Sequence, residues 1–141
     1  MTLLEKAIAI AVEAHAGQVQ KNGEPYILHP LHLMMQMESE DAKITAVLHD
    51  VVEDTEWSLA DLQAEGFSDE VLVAVALLTR QPHMSYEQFI EEIAPNPLAR
   101  QVKLADIVHN MDVRRLPSIT LKDYDRLIQY QAAYARLQLP D

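Results

Sequence analysis

The amino-acid sequence predicts an all-α protein. Apolar residues recur at three- and four-residue spacing, several segments open with a serine or threonine followed three residues later by an acid or amide, and none shows a convincing strand pattern. No repeat or linker interrupts the pattern, so residues 1–141 read as a single compact domain. A chain of this size buries roughly 68% of its unfolded surface, enough for one core.

Leu4, Ala7, Ile8, Ala11, Ala14 and His15 form the first stripe, which predicts a helix over 2–16 ended by Gly17. A lone histidine on an apolar face, as His15 is, reads as a hydrogen-bonded core residue. Residues 17–26 carry glycine, asparagine and proline without periodicity and read as a loop able to approach a ligand. Pro30 suits the first position of the next helix, which puts His29 at its cap, where the positive helix end favours a neutral imidazole. His32 is a weaker ligand candidate, and Met34, Met35 and Met37 read as core filler. Asp41 is expected to cap the helix that carries residues 44–55.

Ser58 and Ser68 open two short helices, and Ser85 with Gln88 opens another that ends at Pro95-Asn96-Pro97. The loop from Thr79 to Met84, including His83, is expected to be exposed. A long helix follows over 97–115, with Lys103, Asp106 and Asn110 on one face and Leu104, Val108 and Met111 on another. Thr120 with Asp123 starts the last helix.

Acidic residues outnumber basic ones 22 to 11, for a net charge of −11. That balance repels nucleic acid over most of the surface but leaves room for a small anion in a local nest of cations. There are no cysteines, so disulfides and thiolate metal sites are excluded. The longest apolar run near the N-terminus, Ala7 to Val12, is too short to span a membrane, and no signal-peptide pattern precedes it. The expectation is a soluble cytoplasmic protein without a membrane or nucleic-acid partner. Apolar helix faces serve a homo-oligomer as readily as a core.

The stretch from Ile44 to Thr55 sets His49, Asp50, Glu53 and Asp54 on one predicted helical segment, His49 under Glu53 and Asp50 under Asp54. Carboxylates in a last turn oppose the helix dipole and repel one another, which a cation would relieve. The plainer alternative is an amphipathic helix with a solvated acidic end. His29, His49, Asp50 and Asp106 stand out as candidate ligands from separate helices. Two imidazoles with two carboxylates suit Mn²⁺, Fe²⁺ or Zn²⁺ better than calcium. Adjacent residues on a helix point about 100° apart, so His49 and Asp50 share an ion only if their side chains converge.

Four blocks, Ala14-His15-Ala16-Gly17-Gln18, Gly23 to Pro30, Leu48 to Thr55, and Val102 to Asp106 with His109-Asn110-Met111, fall in an order that resembles the HD-domain metal-dependent phosphohydrolases. Within that family they are most similar to the hydrolases of the alarmones guanosine tetra- and pentaphosphate. The resemblance implies a compact HD-domain bundle of about eight helices, with His29, His49, Asp50 and Asp106 as ligands of a manganese-type ion. It further implies that Glu53 and Asp54 handle the attacking water, and that Lys21, Lys103 and Asn110 lie at a phosphorylated nucleotide. The implied reaction removes pyrophosphate from the ribose 3′ position, leaving GDP or GTP. The chain ends after the hydrolase-like region, which implies no alarmone synthesis.

Two positions depart from the family pattern. An Arg-Lys pair usual before Gly-Glu-Pro-Tyr reads Gln20-Lys21, and an arginine usual two residues after the asparagine is Asp112. Arg114 and Arg115 are the nearby replacements, but a continuous helix need not turn them toward Asn110. A different nucleotide substrate, and a nucleotide-binding module without turnover, are the alternatives these departures raise.

Overall fold

The computed structural model describes residues 1–140. Its helices are α1 (Leu3–Ala14), α2 (Leu28–Met35), α3 (Glu40–Leu48), α4 (Val51–Asp54), α5 (Leu59–Ala64), α6 (Asp69–Leu77), α7 (Tyr86–Ile93), α8 (Pro97–Asn110) and α9 (Leu121–Gln138), with a 3₁₀ turn at Val113–Arg115 before α9. No strand occurs among the described residues, only an isolated antiparallel bridge between Val19 and Pro25. Among the described residues no helix is long and apolar enough to cross a membrane.

Capping boxes start α5 at Ser58, α7 at Ser85 and α9 at Thr120, as their sequences predict, and a further one starts α1 at Thr2. Ser39, not Asp41, caps α3: its hydroxyl accepts from the Ala42 amide at 3.1 Å, leaving Asp41 in the first turn, where the dipole favours it. His29 is not a cap residue either. The turn at Pro25–Tyr26 runs straight into α2, so the helix begins at Leu28 and Pro30 falls in its first turn, where a missing N–H costs nothing.

Two apolar clusters fill the bundle. Leu33, Phe89, Ile93, Val102, Ile107 and Leu137 belong to one, built on α2, α3, α6, α7, α8 and α9. Ile10, Val47, Leu48, Val51, Leu62 and Val71 belong to the other, built on α1, α3, α4, α5 and α6. α3 packs on α1, α2, α6 and α8, and residues 44–48 are buried without exception, so this helix is apolar nearly all round. Met34 packs against both clusters and Met37 is buried, as filler, but Met35 is 73% exposed and is not part of the core.

Two predicted helices end early. The segment expected over 44–55 is interrupted at His49-Asp50, dividing it into α3 and α4. The helix expected over 97–115 stops at Asn110, because Asp112 takes an extended conformation and its carboxylate accepts from the Arg114 amide at 3.1 Å. The loop after α1 makes a tight turn in which Gly23, at φ 88°, takes the left-handed conformation that favours glycine, and the Gln20 amide donates to the Glu24 carbonyl at 2.8 Å.

Neighbouring positions on α8 give a direct test of this packing. Ile107 is fully buried and Val108 is 54% exposed. Ile107→Ala is expected to lower the unfolding free energy by about 2–5 kcal/mol and Val108→Ala by less than about 0.5 kcal/mol, read from urea midpoints.

Candidate active site

The interruption between α3 and α4 builds the site. Asp50 sits at φ −105°, ψ 0° ahead of α4, and the change of direction there turns two adjacent side chains toward each other. His49 Nε2 comes to 3.0 Å from Asp50 Oδ2 and 3.7 Å from Asp106 Oδ1. The convergence that a regular helix does not provide is thereby met.

Each member of the cluster has a defined support. His49 Nδ1 lies 2.7 Å from the Ala46 carbonyl, to which a protonated Nδ1 donates, and Nε2 is buried with no aligned hydrogen-bond partner despite the two nearby carboxylates. His29 Nε2 is 2.8 Å from Asp106 Oδ1 and its Nδ1 is 2.7 Å from His109 Nδ1. Asp106 also accepts from Lys103 Nζ at 2.8 Å and Asn110 Nδ2 at 3.1 Å. The Tyr26 hydroxyl donates to Asp50. Donor atoms of His29, His49 and Asp50 lie within 4.8 Å of one another, and so do those of Asp50, Glu53 and Asp54. Asp50 is therefore common to both groups, and an unpartnered imidazole nitrogen facing carboxylates is a donor set that fits a divalent ion.

Burial would raise the Asp50 carboxyl, but the His49 imidazole outweighs it and holds Asp50 at about 2. Burial acts against Asp106 in the same way, and the Lys103 ammonium with both imidazoles holds it well below the usual carboxylate range. His49 is pushed well above an ordinary histidine, because Asp50 and Asp106 overcome the effect of its burial. His29 is lowered chiefly by burial rather than by a helix end. Partial burial and the neighbouring Asp50 raise both Glu53 and Asp54, making them stronger bases than exposed carboxylates. Glu53 accepts from the Arg80 amide at 2.6 Å, which ties it to the otherwise exposed 79–84 loop.

The cluster forms one end of a cleft of about 430 Å³ that also takes in Lys21, Lys103, Asn110, Arg115 and Arg126. Lys21 and Arg126 both pair with Asp123, at 2.5 and 2.9 Å, and Thr120 donates to the same carboxylate through its amide and hydroxyl. Lys103 is largely buried and committed to Asp106. His15 is buried as expected, with Nδ1 2.9 Å from Gln18 Oε1 and its ring 5.0 Å from that of Tyr26. His32 stacks on His109 with ring centres 3.9 Å apart, one residue removed from the cluster.

Tyr26, His109, Arg115 and Asp123 are parts of this site that sequence spacing does not single out. His109 and Asn110 follow Asp106 by three and four residues, so their shared helix face is a readable signal. Pairs such as Lys21 with Asp123, 102 residues apart, have no local signature.

An all-helical bundle holding a buried histidine and carboxylate cluster at one end of a cation-bearing cleft defines a candidate metal-dependent active site. Residues 7–116 match the HD domain, and the chain belongs to that family. It is similar to a GTP pyrophosphokinase of Streptomyces coelicolor, 34% identical over 125 residues that cover 79% of this chain and 15% of the relative. It is equally similar to a guanosine-3′,5′-bis(diphosphate) 3′-pyrophosphohydrolase of Haemophilus influenzae, 34% identical over 116 residues covering 72% of this chain and 17% of that protein. The chain thus spans about a sixth of the length of these relatives. The solved structure of a metazoan ortholog of SpoT, which hydrolyses ppGpp, has the same fold, with a TM-score of 0.81, 23% identity, and coverage of 97% of this chain and 85% of that one.

Asp106 and Lys103 provide a stability test in metal-free buffer. Asp106→Ala leaves the ammonium buried without its carboxylate and is expected to cost about 3–5 kcal/mol, most of which Lys103→Met in the same background restores. The depressed Asp50 and Asp106 carboxyls stabilise the fold above their unfolded values near about pH 4, and that contribution is lost as pH falls toward about 2. Urea midpoints across this range should drop more steeply for the parent than for Asp106→Asn.

Proposed function

We propose that this chain is a metal-dependent phosphohydrolase that removes the 3′-pyrophosphate of guanosine tetra- and pentaphosphate, releasing pyrophosphate and GDP or GTP. The observation that carries this reading is the convergence of His49 and Asp50 on His29 and Asp106, beside a second acidic pair and at one end of a nucleotide-sized cleft. The activities named for the Haemophilus relative and the metazoan SpoT ortholog support it.

In this reading His29, His49, Asp50 and Asp106 hold a divalent ion, Mn²⁺ in the first instance. Such an ion polarises a phosphoryl oxygen and lowers the pKa of a water from about 15.7 toward about 7. Glu53 and Asp54, raised by burial, accept the proton as the water oxygen bonds to the phosphorus next to the ribose 3′-oxygen. The bond from phosphorus to that oxygen breaks, and the proton taken up by the Glu53-Asp54 pair passes to the departing ribose oxygen, which becomes the 3′-hydroxyl. The Arg80 amide holds Glu53 in place. Tyr26 and His109 orient the donors by their contacts to Asp50 and His29. Lys21, Lys103 and Asn110 border the substrate.

A second reading, hydrolysis of another phosphorylated nucleotide by the same residues, is favoured by one observation. Asp123 neutralises Lys21 and Arg126, two of the cations that guanosine tetraphosphate would otherwise use.

Added Mn²⁺ is expected to raise the melting temperature, a gain of about 2.7 kcal/mol at a hundredfold excess over the dissociation constant, and Asp50→Ala to abolish the gain. Pyrophosphate release from ppGpp by the Mn²⁺-loaded protein should fall about 10²–10⁴-fold in Glu53→Gln with metal content unchanged. No release from ppGpp alongside turnover of another nucleotide would move the function to the second reading, and no turnover of any nucleotide would leave a binding module.

A further inference from the structure

Four cationic side chains line the cleft: Lys21, Lys103, Arg115 and Arg126. Three of them are paired with carboxylates, Lys21 and Arg126 with Asp123 and Lys103 with Asp106. Arg115 differs. Its guanidinium donates to the His109 carbonyl at 2.9 Å, to Asn110 Oδ1 at 3.3 Å and to Gln20 Oε1, all neutral oxygens. An arginine stays charged, and half-buried against neutral acceptors it keeps a positive charge that no contacting carboxylate cancels.

Gln20 and Asp112 are what place it there. Asp112 ends α8 and caps the 3₁₀ turn, while its carboxylate pairs with the exposed Arg114 at 2.8 Å. Had the helix run on to residue 115, five positions past Asn110, Arg115 would lie about 140° around the axis from it. The turn instead brings it back onto Asn110. Gln20 then supplies a neutral acceptor, fixed by its own amide donating to the Pro25 carbonyl at 3.2 Å. An arginine at position 20 would replace that acceptor with a second cation beside the first.

We infer that Arg115 is the specificity-determining cation of the cleft, binding a phosphate group of the nucleotide remote from the bond that is cut, with Gln20 as the residue that positions it. This rests on the phosphohydrolase reading for the identity of the cut bond, but not for the binding of the phosphate. The position of the charge, on the segment after α8 rather than on the 17–26 loop, sets which phosphorylated end of a nucleotide the cleft holds best.

The test is calorimetric binding of GDP, which has no 3′-pyrophosphate to lose, combined with ppGpp kinetics on the Mn²⁺-loaded protein. Arg115→Ala is expected to weaken GDP about tenfold or more and to raise KM for ppGpp by a similar factor, with a smaller change in kcat. Arg115→Lys should retain part of the affinity. Gln20→Arg should weaken GDP rather than strengthen it, and exchanging the pair as Gln20→Arg with Arg115→Gln should recover binding. GDP affinity unchanged in Arg115→Ala, tighter binding in Gln20→Arg, or no GDP binding by the parent protein would each overturn the inference. Arg115-dependent GDP binding without pyrophosphate release would instead retire the hydrolase reading and keep this one. Should Arg115→Ala fail to fold, Gln20→Arg and the exchanged pair decide between the same outcomes.

Discussion

A carboxylate as deeply buried as Asp106 must be surrounded by donors, and much of the bundle is arranged to deliver them. His29 comes from α2 and Lys103 and Asn110 from one face of α8, while His49 at the end of α3 stands 3.7 Å off without a hydrogen bond. Removing a charge from water costs several kcal/mol unless it is met from several sides. The packing of α2 and α8 around α3 is therefore constrained by Asp106 as well as by apolar contacts. The second constraint is local. Adjacent residues of a regular helix point about 100° apart, and the chain leaves helical geometry at Asp50, directly after the still-helical His49, which brings the two side chains together.

The same trade recurs at the far side of the cleft. α8 stops where its apolar pattern alone would let it continue, and the turn that follows returns Arg115 to the neighbourhood of Asn110. In both places a helix is ended to aim one side chain, and in both an aspartate stands at the break. Asp50 and Asp112 differ in what surrounds them: the first is half-buried between an imidazole and a phenol, the second is met by an exposed arginine.

The helices and most of their starts were legible because periodicity and capping boxes are local signals. Thr2, Ser58, Ser85 and Thr120 each act within three residues of themselves. The candidate ligands were legible as residue types in a family pattern, and the structure brings all four together. What spacing could not show was the break at His49-Asp50, since nothing apolar marks it and the groups that meet there, Tyr26 and Asp106, are distant in sequence. The same limit hid Asp123, whose partner Lys21 lies on a loop at the other end of the chain. The misplaced cap at Asp41 had a different origin, because serine and aspartate compete for the same position and Ser39 reaches the amide first.

The two apolar clusters meet where these donors meet. Leu48 and Val51 flank His49 and Asp50 on one side of the seam, while Val102 and Ile107 flank Asp106 on the other. An ion gripped from both sides would act as a rivet, so that its binding energy is also cohesion between two clusters that otherwise share α2, α3 and α6, with Met34 against both. The two halves would then breathe together when the rivet is in place and separately when it is out. Amide exchange in α1 and in α9, on opposite sides of the seam, would be slowed by the same ion although neither helix supplies a ligand.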